Sequence, residues 1–91
     1  MPAPSLREEN RRVLLCGPLL FKPHEITGYT EAGQLIICLQ DTEADRHRKR
    51  PTPPTLVRAS YAEWLAAFTL TPKLREKLRP TLLRVAPELA A

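Results

Sequence analysis

Five consecutive apolar residues, Leu35-Ile36-Ile37-Cys38-Leu39, constrain this chain more than any other stretch. Successive side chains of an extended strand point to opposite faces, so a run that is apolar at every position needs cover on both. The β-branched pair Ile36-Ile37 suits a pleated surface better than a helix. The preceding segment, Glu25-Ile26-Thr27-Gly28-Tyr29-Thr30, is also rich in strand formers, and Gly33 stands where a tight turn needs a positive φ. The pattern predicts a β-hairpin over about 25–40 whose second arm is a central strand. A competing reading makes Glu31–Gln40 a helix capped by Thr30, since Ala32, Leu35, Ile36 and Leu39 fall at helical spacing. Joined to a preceding helix, that segment would form a helix-turn-helix. Gly33 and the two isoleucines weigh against it.

The flanks supply the helices. Ser5-Leu6-Arg7-Glu8 has the form of a capping box, and Glu8 precedes Arg12 by four in the favourable order. A helix is expected from about Leu6 to Leu15, ended by Gly17-Pro18, with Leu6, Val13 and Leu14 toward the core; the run Val13–Cys16 is alternatively a strand. Leu19-Leu20-Phe21, bounded by Pro18 and Pro23, suits a short edge strand or extended segment. Leu56-Val57-Arg58 reads as another short strand. Ser60-Tyr61-Ala62-Glu63 is a second capping box, and Tyr61, Trp64, Leu65 and Phe68 follow at i, i+3, i+4 and i+7. That face reads as the centre of the core, the alternative being a partner-binding stripe. Thr71-Pro72 starts a further helix from Lys73 to Arg79. Pro80 should break or restart it, and Thr81 to Ala86 adds a turn or two. Leu74, Leu78, Leu82 and Val85 line one side of this region. Lys73, Lys77 and Arg84 flank the stripe on one edge, Arg75 and Arg79 on the other. The expected fold class is α+β: one domain over 1–91, with an N-terminal helix, a short antiparallel sheet, and two or three C-terminal helices.

Between the hairpin and the last strand, residues 41–55 read as a flexible loop. It opens acidic (Asp41, Glu43, Asp45), turns basic in Arg46-His47-Arg48-Lys49-Arg50, and ends in the extended run Pro51-Thr52-Pro53-Pro54. A loop this long with no apolar anchor is uncommon inside a small domain and marks a functional or mobile segment. Charge is unevenly spread along the chain. Residues 1–45 carry four basic and seven acidic side chains, whereas residues 46–84 carry ten basic and two acidic. Such asymmetry points to an anionic partner.

Several function classes are disfavoured. Cys16 and Cys38 lie in apolar surroundings and read as small buried hydrophobes. With His24 and His47 they make no close pair of the kind structural zinc uses, so neither metal nor cofactor is expected. No Gly-rich phosphate loop can be built from three separated glycines. Neither cysteine sits in the electropositive setting that activates a thiol, and no base–nucleophile motif is apparent, so the chain reads as non-enzymatic. Apolar runs reach only five residues, far short of a membrane span. No secretory leader is visible at the N-terminus, which makes the cytoplasm the expected location.

Binding remains. Arg46, Arg48, Lys49 and Arg50, extended by Lys73, Arg75, Lys77 and Arg79, could neutralise the phosphate backbone of a nucleic acid. The second expectation is a small interaction module, an adaptor or inhibitor, docking on the acidic surface of a larger protein. Leu74, Leu78, Leu82 and Val85 would then be its apolar anchor. Whether that stripe is covered in the monomer discriminates the two, since a large apolar patch left exposed would indicate a protein partner or self-association. Pairing as a homodimer also fits a chain this small, which gains stability by burying surface in an oligomer.

Overall fold

The computed structural model describes residues 6–17, 20–40 and 53–90. Along the chain run α1 (Leu6–Cys16), a 3-10 turn (Pro23–Glu25), β1 (Ile26–Glu31), β2 (Gln34–Leu39), β3 (Thr55–Ser60), α2 (Tyr61–Leu70), α3 (Pro72–Val85) and the short α4 (Pro87–Ala90). The fold is α+β, with an N-terminal helix, an antiparallel sheet in the order β1-β2-β3, and C-terminal helices. The apolar run occupies the central strand, and residues 31–40 are not helical. Ala32 (φ 49) and Gly33 (φ 77) form a two-residue turn with positive φ at both positions, the type whose twist matches the flanking strands.

Register divides the sheet into two faces. Gly28 opposes Ile37, which opposes Val57; Thr30 opposes Leu35, which opposes Ala59. Ile26, Leu35, Ile37, Leu39, Val57 and Ala59 therefore point toward the helices and form the floor of the core. The helices roof it with Leu14 of α1, Trp64, Ala67 and Phe68 of α2, and Leu74, Leu78 and Leu82 of α3. Trp64 Nε1 donates to the Leu35 carbonyl at 2.9 Å, which satisfies the only polar atom of this fully buried ring. Its ring centroid lies 5.7 Å from that of Phe68. Thr81 of α3 is buried and donates through Oγ1 to the Ile26 carbonyl at 2.9 Å, fastening the helix to β1. α1 packs on α2 and β3, where Asn10 Nδ2 donates to the Arg58 carbonyl.

The opposite face carries Tyr29, Ile36, Cys38 and Leu56 with Thr27 and Arg58. Arg58 Nη1 and Glu31 Oε2, 3.9 Å apart, lie on strands either side of β2 and so span it on this face.

The fold corrects several local expectations. Leu6 is 64% exposed rather than internal, and Asn10 takes its place facing the core. Leu20 is 91% exposed and Phe21 is not in a strand; the chain turns in 3-10 form before entering β1. Cys38 is only half-buried and lies on the face away from the helices. Thr55 belongs to β3 and not to the preceding loop. Pro80 does not break α3, which runs unbroken to Val85 because its buried leucines lie on both sides of the proline. The largest correction concerns the stripe Leu74, Leu78, Leu82 and Val85. The three leucines are fully buried and Val85 packs against the same core, so the stripe is internal and offers no anchor to a partner.

Candidate interaction surface

The basic side chains of α3 expected to act together lie on opposite flanks of the helix, as their spacing in the sequence implies. Arg46, Arg48, Lys49 and Arg50 lie outside the described residues. On α3, Lys73 is exposed and Lys77 half-buried; with Glu76, Pro72 and Pro23 they rim a shallow depression beside the 3-10 turn. Neither lysine forms an ion pair among the described residues, and neither does Arg84. Arg75 and Arg79 lie on the other flank and are already engaged. Arg75 Nη2 donates to the Ala90 carbonyl at 3.4 Å, and Arg79 Nη1 stands 3.6 Å from Glu76 Oε1. Helical spacing explains the division, since the two flanks are separated by the buried leucines on one side and by Glu76, Pro80 and Leu83 on the other.

A second surface emerges at α2. This helix is apolar almost all round: Glu63 is the one charged residue among its ten. A surface helix normally sets a charged face against solvent, and a helix without one is normally covered on every side. Only one side of α2 is covered here. Ser60 opens the helix with a capping box, its hydroxyl accepting from the Glu63 N–H at 3.3 Å. The cap fixes where the helix starts, and Trp64, Ala67 and Phe68 then face inward. The outward arc consists of Ala62, Leu65, Ala66, Thr69 and Leu70, with Leu65 56% and Leu70 68% exposed.

This arc borders a groove of about 320 Å³ between α1 and α2. One wall is Arg7, Arg11, Leu14 and Leu15 of α1. The other is Ala62, Ala66, Ala67 and Leu70 of α2, together with Glu63. Alanines at 62 and 66, one helical turn apart, keep that wall low. Arg7 and Arg11 are likewise one turn apart and both exposed. Arg7 Nε stands 3.8 Å from Glu63 Oε2, a long and exposed contact, while Arg11 has no carboxylate partner among the described residues. A neighbouring polar hollow is lined by Leu6, Arg7, Asn10, Gln34, Arg58 and Glu63.

Sequence reasoning placed the Tyr61/Trp64/Leu65/Phe68 face in the core and weighed a partner-binding stripe there. The structure buries Trp64 and Phe68 and leaves Leu65 at the edge of the outward arc. The signal for that arc was present in the sequence as the scarcity of charge over Tyr61–Leu70. Among the described residues no three of His, Cys, Asp and Glu converge, and no helix is long and apolar enough to cross a membrane. No protein-family model matches the chain, and no curated protein or solved structure matches it.

Proposed function

We propose that this protein is a small protein-interaction module, an adaptor or inhibitor type of domain, that docks through the outward arc of α2 and the adjoining α1–α2 groove. The observation that carries this reading is a helix with one charged residue in ten, half-covered by its own domain, with Leu65 and Leu70 turned to solvent. Contiguous apolar surface rimmed by polar residues is characteristic of protein docking sites. Site-specific photo-crosslinking tests this reading. A benzophenone side chain at position 65, in cells that naturally make the protein, should yield a discrete adduct with another protein. The same group at position 76 on α3 should not, and Leu70→Lys should remove the adduct. Equal labelling from both positions, or none from position 65, counts against the docking face.

A second reading is supported by Lys73 and Lys77, which form no ion pair among the described residues, taken with the basic run of the sequence at 46–50: a nucleic-acid-associated accessory domain that contacts phosphate. Fluorescence anisotropy of labelled duplex DNA and single-stranded RNA at two salt concentrations tests it. Binding that weakens with salt, and whose salt slope falls by about two on Lys73→Ala/Lys77→Ala, is the expected result. No binding at low salt removes this reading and leaves the first untouched.

A further inference from the structure

We infer that the occupant of the α1–α2 groove is an amphipathic helix of a partner protein, apolar along one stripe and acidic along its flank. The inference rests on the docking reading and adds the chemistry of what docks. Two packed helices leave a furrow along their line of contact, and a third helix can lay its apolar stripe into it. The α2 wall suits close approach because Ala62 and Ala66 add little height. Leu14 and Leu15 from α1, with Leu70 from α2, supply apolar contact.

Charge selects the sign of the partner. The α1 wall presents Arg7 and Arg11 to the groove, both exposed. Among the described residues the one carboxylate on the walls is Glu63, which already serves the capping box: its Oε1 accepts from the Ser60 hydroxyl at 3.2 Å and the Ser60 N–H at 3.4 Å. A docking helix with glutamate or aspartate along the edge next to α1 would therefore meet two guanidinium groups one turn apart, matching the spacing of its own i and i+4 positions. A basic helix would face repulsion from both. A second copy of this chain fits less well, since its own groove wall would bring the same two arginines.

The probes are two labelled helical peptides with identical leucine stripes, one flanked by glutamates and one by lysines, titrated by anisotropy. The glutamate peptide should bind with salt-sensitive affinity and the lysine peptide at least about tenfold more weakly. Arg7→Glu/Arg11→Glu should reverse that preference, and Leu70→Glu should weaken both peptides. Glu63→Gln is the informative gain. Glutamine still satisfies the capping box but no longer competes for Arg7, so the glutamate peptide should bind about two- to threefold tighter. Amide shifts in an NMR titration should centre on residues 62, 66 and 70. Equal binding of both peptides in the groove would overturn the acidic-helix inference and leave the docking reading standing. Binding of the glutamate peptide with shifts confined to the Lys73/Lys77 flank would also overturn it. So would a dimer in sedimentation equilibrium that Leu70→Glu dissociates, because the occupant would then be a second copy. Failure of the glutamate peptide to bind overturns the inference, while the photo-crosslink judges the docking reading separately.

Discussion

Gly28 shows how one side chain's absence positions a whole helix. It lies on the core face of β1, directly across from Ile37. A Cβ there would stand 2.8 Å from Ile37 Cδ1, 3.1 Å from the Ile36 carbonyl oxygen and 3.2 Å from Thr81 Cγ2. Ile37 is fully buried and cannot swing aside freely. Thr81 approaches closely enough to donate to the Ile26 carbonyl because residue 28 has no side chain. Gly28→Ala should therefore cost about 1–3 kcal/mol by overpacking, measured as a lower urea midpoint with an unchanged m-value. Because Trp64 is the single tryptophan and fully buried, its emission reports the transition. An unchanged midpoint would mean that α3 does not press on the sheet at this point.

At the scale of elements, α3 departs most from what its sequence suggests. Proline inside a helix removes one backbone hydrogen bond and crowds the carbonyl four residues earlier, which is why Pro80 reads as a break. The helix continues because Leu74 and Leu78 before it and Thr81 and Leu82 after it are all buried against the same sheet and α2. Tertiary burial outweighs the local penalty. Pro80 is exposed, so replacing it removes no core contact. Pro80→Ala should raise stability by about 1–3 kcal/mol, visible as a higher thermal midpoint and unchanged far-ultraviolet circular dichroism. Destabilisation instead would show that the proline shapes the packing of the last turns. α2 makes the complementary point. Its capping box and aromatic spacing are local and hold in the fold, but which apolar residues it buries depends on where α1 and the sheet sit.

For the whole molecule, apolar residues serve two separate purposes. Leu74, Leu78 and Leu82 of α3 close the core, while Leu65 and Leu70 of α2 face outward. Leu78→Ala should cost about 2–5 kcal/mol of unfolding free energy, as expected for a buried leucine leaving a cavity. Leu65→Lys/Leu70→Lys should change stability by less than about 0.5 kcal/mol. It should also reduce binding of a hydrophobic dye. A large loss of stability in the double lysine variant would mean that the outward arc is structural rather than a docking face. The sheet's opposite face adds Tyr29, across from the buried Ile36, and Leu56, across from Cys38, both partly exposed, so the domain turns apolar side chains outward in more than one direction.

The sequence by itself determined the elements whose signals are local. The hairpin follows from Gly33 and the run Leu35–Leu39, α2 from the Ser60–Glu63 box, and the central place of β2 from its being apolar on both faces. These signals act over a few residues and need no knowledge of the rest of the chain. Only the tertiary structure decided which apolar faces meet. It turned the Leu74/Leu78/Leu82/Val85 stripe inward and left the outward arc of α2 uncovered. Periodicity shows that a helix has an apolar side, but what covers that side is set by residues tens of positions away. Trp64 reaching the Leu35 carbonyl and Thr81 reaching that of Ile26 are contacts of that kind. The candidate surface was therefore legible as an unusual absence of charge in one helix, and became a surface only when the fold covered one side of it and not the other.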